Sequence, residues 1–338
     1  MKALFIGGTG TISTAISKIA IENNWELYLL NRGNKMDKVP LGVKVITADI
    51  NDEAAVSTLI SNMNFDVVAD FIAFEPLQIK RDIRLFKGNT KQFIFISSAS
   101  AYQKPLSHYE VTESTPLSNP YWEYSRNKIA CEELLISEYR NNNFPITIVR
   151  PSHTYSNDSI PVALHGEKGC YQVIDRIMKG KPVIIPGDGS SLWTVTHNSD
   201  FAKAFVGIMG NRAAIGEAIQ ITSDESLTWN QIYDTIGAAL DATVRKFHVS
   251  TDFLVKCQSD FEGGLIGDKS NTVVFDNSKI KRLVPNFIAT TRFDQGVKLS
   301  IEHILSHPEL QIEDSEFDLF CEKVIRAQKQ AVTFFKNL

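Results

Sequence analysis

Short apolar runs alternate with helical patterns through the first half of the chain. Residues 2–6 have the composition of a buried strand, and residues 11–21 repeat apolar side chains at the spacing of one helix face. The same alternation predicts further strands at 27–30, 43–46, 67–71, 93–96 and 146–149, and helices at 54–63, 79–86 and 124–139. Strands and helices in this order predict a parallel sheet with crossover helices, a doubly wound α/β fold of the Rossmann type.

The second half is less regular. It predicts helices at 171–178, 200–209, 229–240 and 317–335, short strands at 183–185 and 218–221, and a turn at Gly187-Asp188-Gly189. We therefore expect a dinucleotide-binding domain at 1–155, to which 197–225 returns, and a smaller, mostly helical α/β substrate domain at 156–196 and 226–338. A ligand is expected between them, at the carboxyl ends of the strands. The apolar face of the last helix would pack on the body of the protein or on a partner subunit.

Composition narrows the function classes. Thirty-five basic residues against 39 acidic ones give a net charge of −4 in 338 residues, which makes nucleic acid an unlikely partner. No apolar stretch has the length of a membrane span, and the chain begins directly with the first strand rather than a signal peptide, so a cytoplasmic protein is expected. The four cysteines are scattered without metal-ligand spacing, and no metal site is expected.

A glycine-rich segment joins the first strand to the first helix. It reads Gly7-Gly8-Thr9-Gly10-Thr11-Ile12, with Ser13 where a third glycine usually allows close helix packing. Glycines let the backbone approach a pyrophosphate, and a helix N-terminus offers free N–H groups to it. The motif therefore predicts an NAD(P) site, and a tight turn without a ligand is the alternative.

Two later strand ends add candidate cofactor contacts. The second strand ends at Asn31 and Arg32, where NAD-binding proteins usually have a carboxylate for the ribose 2′-hydroxyl. An arginine there favours NADP over NAD, unless Arg32 is only a solvated loop charge. Asp49 and Ile50 follow the third strand, where a carboxylate reaches an adenine amino group; Asp49 could equally cap the next helix.

Tyr124 and Lys128 are four residues apart and so share a helix face, while Ser98 follows the predicted strand 93–96. A free tyrosine is a poor base at neutral pH, because its pKa is about 10. A nearby ammonium and the positive cofactor ring would lower that pKa. The three residues therefore predict a site where tyrosine moves a proton and serine holds the substrate oxygen.

Together these motifs resemble the extended short-chain dehydrogenase/reductases, the NAD(P)-dependent epimerase/dehydratase family. The resemblance implies that Tyr124 is the acid/base, Lys128 anchors the ribose and Ser98 donates to the substrate oxygen. It further implies dinucleotide contacts at Phe71, Ala73 and Pro151, and a substrate contact at His153. It also implies a homodimer through the helix of Tyr124, although intramolecular packing explains the apolar side of that helix equally well.

The chain departs from the family pattern at two places. Dehydratases of the family have an acid pair where this chain has Ala99 and Ser100, so 4,6-dehydration is not expected. Nucleotide-sugar enzymes usually have a diphosphate-binding arginine where this chain has Trp193, which could stack on a base or sugar or belong to the core. The missing charge could come from Lys279, Lys281 and Arg282, unless these form a solvated face.

The predicted function is therefore an NAD(P)-dependent oxidoreductase or epimerase that transfers hydride at a hydroxyl or ketone carbon. Its substrate is expected to be a small molecule such as a sugar or nucleotide sugar. The departures also make the chain similar to the chloroplast stem-loop-binding branch of the family. The alternative is accordingly a dinucleotide- or RNA-binding protein with little or no catalysis.

Overall fold

The computed structural model of the chain describes residues 1–338 and contains fourteen strands and twelve helices. In chain order the strands β1–β14 are Lys2–Ile6, Glu26–Asn31, Lys44–Thr47, Val67–Asp70, Phe93–Ile96, Glu110–Val111, Ile146–Pro151, His153–Tyr155, Val183–Pro186, Leu192–His197, Ala218–Ile221, Ser226–Thr228, Lys246–Val249 and Val274–Phe275. The helices α1–α12 are Thr11–Glu22, Glu53–Ile60, Pro76–Phe86, Glu123–Asn142, Tyr171–Met178, Asn198–Ile208, Trp229–Ala239, Thr251–Cys257, Phe261–Gly264, Ser278–Leu283, Phe293–Ser306 and Ser315–Lys336.

Seven parallel strands form the main sheet in the order β3-β2-β1-β4-β5-β7-β11. The order reverses between β1 and β4, and in sheets of this kind ligands bind at that reversal, beyond the carboxyl ends of the strands. The predicted doubly wound Rossmann-type α/β fold is confirmed.

Residues of β1 explain why helices cover both faces of the sheet. Ala3 and Phe5 point to the core that contains α1 and α6, whereas Leu4 and Ile6 point to the core that contains α2, α3 and α4. All four side chains are fully buried. Because successive side chains in a strand alternate between the two faces, an uninterrupted apolar strand requires a helical layer on each side.

The chain returns to the main sheet before the second half of the fold is complete. Strand β11 pairs with β7 at the edge of the main sheet, and α6 packs on α1. The other elements build a third core around β8, β9 and β10 with helices α5, α7, α11 and α12. None of the helices combines the length and apolar character that crossing a lipid bilayer requires.

Three elements of this third core, β8, β10 and α11, were missing from the sequence prediction. Strand β10 alternates Trp193, Thr194, Val195 and Thr196, so it contains no continuous apolar run, although all four side chains are buried. Helix α11 does carry a helical signal, because its buried face repeats at Phe293, Val297, Ile301 and Ile304.

The C-terminal helix α12 packs on the body only through its first half. The buried side chains are Phe317, Cys321, Val324 and Ile325. The fully buried guanidinium of Arg176 on α5 fastens this half by ion pairs with Asp318 and Glu322. Beyond residue 330 every side chain is exposed, Phe334 included, so the second half of the apolar face does not pack on the body of this chain. Packing of that half on a partner subunit stays a prediction.

Candidate functional site

The glycine-rich turn after β1 has a backbone that only glycine adopts without strain. Gly7 and Gly8 have φ angles of +99° and +83°. A Cβ on Gly8 would lie 2.6 Å from the Leu29 side chain, and one on Gly7 would lie 2.8 Å from Ile72. The turn is therefore held against the sheet, and its backbone faces the carboxyl edge.

Helix α1 begins in this turn with unused hydrogen-bond donors. Gly10 is the N-cap, and the amides of Thr11, Ile12 and Ser13 donate to no protein atom. The Ser13 hydroxyl accepts from the Gly10 amide at 2.9 Å, so a serine at the third glycine position closes the turn by a hydrogen bond. Free amides at a helix N-terminus fit the pyrophosphate of a dinucleotide.

A cavity of about 470 Å³ opens beside the turn. Of the predicted cofactor residues, it is lined by Gly7, Thr9, Gly10, Asn31, Arg32, Asp49, Ile50 and Phe71, joined by the unpredicted Asn34 and Lys35. Thr11 instead lines a neighbouring cleft, and Ile12 packs against the core of α1 and α6. Ala73 is almost fully buried, with its carbonyl bonded to Lys128, so it positions the site rather than lining this cavity.

The end of β2 leaves donors available at this cavity. The Asn31 side-chain oxygen accepts from the Gly33 amide at 2.9 Å, while the buried Asn31 Nδ2 has no partner. Arg32 is exposed and forms no ion pair. The capping alternative for Asp49 is wrong, because α2 is capped by Asp52, whose carboxylate accepts from the Ala55 amide.

Lys128 is buried and holds two strand ends together. Its Nζ donates to the carbonyls of Ala73 and Ile96, each at 2.7 Å. These carbonyls follow β4 and end β5, so the lysine fixes the loop between the two cavities of the site. Burial lowers the pKa of the Lys128 ammonium to about 8.

This depressed pKa predicts a pH-dependent stability term. An unfolded lysine titrates at about 10.4, so between pH 8 and 10 the unfolded chain binds a proton that the folded chain has lost. The free energy of unfolding should therefore rise with pH in this range, by up to about 1.4 kcal/mol per pH unit more than in Lys128→Met. Urea unfolding of both proteins at pH 7, 8, 9 and 10 measures the difference. Parallel curves for the two proteins would contradict the assignment.

Tyr124 lies half-buried beside Lys128, between the rings of Trp122 and Phe74, whose centroids are 5.0 and 6.1 Å from its own. The Lys128 Nζ is 5.7 Å from the Tyr124 ring centroid. Burial raises the pKa of Tyr124, and the neighbouring Ser98 hydroxyl lowers it. The sequence predicted that the Lys128 ammonium would lower the pKa of Tyr124. In the protein without a cofactor, burial opposes this lowering.

Ser98 begins a chain of hydroxyl groups. Its Oγ is 2.8 Å from Ser100 Oγ, which accepts from Ser125 Oγ on α4, also at 2.8 Å. Ser100 and Ser125 are buried, so these hydrogen bonds orient the Ser98 hydroxyl from its buried side. Ser100, noted in the sequence only as a missing acid, therefore has a positioning role in the geometry of the site.

A second cavity of about 270 Å³ adjoins Tyr124. The predicted residues Ser98, Tyr124, Pro151, His153 and Trp193 all line it. Burial lowers the pKa of His153 to about 3, so its imidazole is neutral near pH 7. Trp193 is stacked on Trp229 with a centroid distance of 5.5 Å and is 2% exposed, so it belongs mostly to the core while contributing to the wall.

The charges in this cavity come from residues that the sequence analysis missed: Lys104, Asp268 and Lys269. The basic residues proposed instead lie elsewhere, since Lys279 pairs with Glu217 and Lys281 pairs with Asp224. No spacing links position 104 with positions 268 and 269, so only folding reveals that they meet. The nearby sequence gives only one hint of this cavity, the lysine of Lys104-Pro105, which follows β5 and Ser98.

Comparison with known proteins shows the family and the fold of the chain. The model of the NAD dependent epimerase/dehydratase family matches residues 3–222. A 2′-dehydrokanamycin reductase of Streptomyces kanamyceticus is 22% identical over 288 residues, which cover 85% of this chain and 80% of that protein. The chloroplast stem-loop binding protein of 41 kDa b of Arabidopsis thaliana is 25% identical over 244 residues, covering 68% and 60%.

Among solved structures, a dTDP-glucose 4,6-dehydratase of Bacillus anthracis in complex with NAD shares the fold with a TM-score of 0.73. Its sequence is 16% identical, and the match covers 92% of this chain and 98% of that one.

Proposed function

This chain belongs to the NAD dependent epimerase/dehydratase family, and we propose that it transfers hydride between an NAD(P) cofactor and a hydroxyl or ketone carbon of a sugar-like substrate. Tyr124 is the acid/base in this proposal, Ser98 binds the reacting oxygen and Lys128 positions both the cofactor and the tyrosine.

The observation that carries the proposal is the position of these three side chains. Tyr124 and Ser98 line the second cavity, and the Lys128 side chain joins the ends of β4 and β5 at the carboxyl edge of the sheet. The free amides of α1 and the cavity beside the glycine turn fit a dinucleotide at the same edge. A purely structural role gives no reason for a polar set of this kind at a sheet edge where ligands bind.

The cofactor, when bound, supplies hydride acceptance or donation at its nicotinamide ring. In the oxidation of an alcohol, the Tyr124 phenolate would take the hydroxyl proton while the carbon gives up its hydrogen as hydride to the bound cofactor, which leaves a ketone. The Ser98 hydroxyl would donate to the substrate oxygen during this change. The phenolate that this step needs would be favoured by positive charge beside the phenol, against the effect of burial on the pKa of Tyr124.

The substrate is proposed to be a sugar or nucleotide sugar, in keeping with the names of the reductase and dehydratase above. Ala99 and Ser100 stand where an acid pair would be needed for dehydration, and Ser100 is committed to hydrogen bonds with Ser98 and Ser125. We therefore place the chain with reductases or epimerases rather than 4,6-dehydratases.

The test begins with native mass spectrometry of the purified protein, followed by absorbance at 340 nm with NAD⁺, NADP⁺ and a panel of sugars and nucleotide sugars. Hydride transfer to either cofactor supports the proposal. Dinucleotide binding without turnover on any substrate, together with an RNA gel shift that persists at physiological salt, would instead support the binding-protein alternative.

The cofactor is proposed to be NADP, because Arg32 is exposed, unpaired and on the wall of the first cavity, with Lys35 beside it. We expect Arg32→Ala to weaken NADP⁺ binding about 10-fold or more and NAD⁺ binding much less, since hydrogen bonds to a charged group contribute about 1.5–3 kcal/mol. Calorimetry with both nucleotides measures this. An equal loss for NAD⁺ and NADP⁺ would mean that Arg32 does not contact the 2′-phosphate.

A homodimer through α4 is also proposed. Cys131 and Leu135 on this helix are buried within the subunit, whereas Leu134 and Ile136 are half-buried. On the adjacent α3, Leu77 is exposed, so apolar surface is available for a second subunit.

A further inference from the structure

Lys104 is an unpartnered cation in the wall of the second cavity. Only 4% of the residue is exposed, and its Nζ forms neither a hydrogen bond nor an ion pair. Burial lowers the pKa of this ammonium, which Asp268 partly opposes. The side chain is buried up to its end, where the ammonium opens into the cavity beside Tyr124. An anionic ligand in the cavity would compensate this charge, which no protein group pairs with.

Asp268 and Lys269 enter the same cavity from a single π-helical turn, Leu265–Lys269. Neither side chain has a hydrogen bond or an ion pair within 4 Å. Burial raises the pKa of Asp268 and lowers the pKa of Lys269. The three charged side chains therefore face the cavity without neutralising one another directly.

The turn that carries these charges is tied to the segment of Ser98 and Ser100 that follows β5. The buried Asn119 side chain donates to the Ser100 carbonyl at 2.8 Å and to the Gly267 carbonyl at 2.7 Å. Gly267 is also close to Trp122 and Tyr121, where an added Cβ would be 3.3 Å from each side chain. The charged turn is thus held at a defined place relative to Ser98 and Tyr124.

The balance of charge in the cavity is positive. Lys104 and Lys269 are cations, Asp268 is the single carboxylate among the lining residues, and His153 is neutral. A cationic substrate group would face two like charges and one opposite charge, whereas an anionic group would face two opposite charges and one like charge, which is more favourable.

We propose that the substrate carries an anionic group, a carboxylate or a phosphate, bound by Lys104 and Lys269, and that Asp268 accepts from a neighbouring substrate hydroxyl. The proposal rests on the proposed function, because it assigns the substrate class of that same cavity. It makes Lys104 and Lys269 specificity-determining residues supplied by two distant segments of the chain.

The experiment is calorimetry on the protein saturated with NADP⁺ or NAD⁺, with four probes that differ in charge: glucose, glucuronate, glucose 6-phosphate and glucosamine. We expect glucuronate or glucose 6-phosphate to bind about 10-fold or more tightly than glucose. Which of the two binds more tightly distinguishes a carboxylate from a phosphate. Lys104→Gln and Lys269→Gln should each remove most of this preference, and Asp268→Asn should increase it.

Lys298→Gln is the matched control, because this exposed lysine lies on α11 and does not line the cavity. Three outcomes would overturn the proposal. The four probes could bind equally, neither anion could bind, or the preference for anions could stay unchanged in both lysine variants. Tighter binding of glucosamine that Asp268→Asn abolishes would overturn it in favour of a cationic substrate. The proposed function fails separately, if no cofactor binds or no hydride is transferred, whichever probe the cavity prefers.

Discussion

Replacing Tyr124 by phenylalanine should lower turnover about 100-fold or more while dinucleotide binding stays nearly unchanged. The variant keeps the ring that packs between Trp122 and Phe74 and removes only the hydroxyl that would move the proton. Steady-state rates at 340 nm give the turnover, and calorimetry gives the affinity for the cofactor. A fall in turnover without a fall in affinity separates proton transfer from cofactor binding.

Tyr139→Phe provides the control for this prediction. Tyr139 is on the same helix, at its far end, and is 38% exposed, so the loss of its hydroxyl should leave both measurements unchanged. Undiminished turnover in Tyr124→Phe would refute the acid/base role. An equally large loss in Tyr139→Phe would show that the helix, rather than the phenol, is responsible.

Replacing Glu132 by alanine should lower the free energy of unfolding by about 3–5 kcal/mol. The fully buried Glu132 carboxylate accepts from Arg150 Nη2 at 2.6 Å and from the Ser97 hydroxyl at 2.5 Å. Arg150 is 3% exposed, so the variant would leave its guanidinium in the interior without a counter-charge. Urea unfolding, followed by circular dichroism, measures the change.

Glu53→Ala is the matched comparison, because Glu53 pairs with Arg84 on the surface, where side-chain exposures are 38% and 58%. Water screens this pair, and we expect its removal to cost far less than the loss of the buried pair. Similar losses in the two variants would mean that the Glu132–Arg150 pair stabilises the fold no more than a surface pair does. Because Ser97 precedes Ser98, a loosened pair should also disturb the end of β5, where the proposed site lies.

Local patterns were enough to predict the first layer of the protein. The apolar run of β1, the glycine turn and the periodicity of α1 all act within about twenty residues, and each requires the same strand–turn–helix unit. The pairing of Tyr124 with Lys128 is equally local, because four residues span one helical turn. These signals depend on backbone geometry and side-chain size, which the neighbouring sequence largely determines.

The capping role that the sequence allowed for Asp49 failed because a competing contact decided it. Asp49 does not cap α2, since Asp52 does so three residues later. The residue type allowed the predicted role, and the surrounding structure gave that role to another residue. The apolar face predicted for α12 continues past residue 330, where no other element of the chain covers it, so packing of that half on a partner subunit stays a prediction.

By itself the sequence determined the doubly wound sheet, the dinucleotide turn and the candidate Ser98, Tyr124 and Lys128, because short-range periodicity and strand ends specify them. Only the tertiary structure decided the charge of the second cavity. Lys104 and the pair Asp268 and Lys269 are more than 160 residues apart, and they line one cavity because Asn119 holds the π-helical turn at Gly267 against the Ser100 carbonyl. Long-range packing of this kind leaves no periodic trace along the chain, so the chemistry that selects a substrate emerges only on folding.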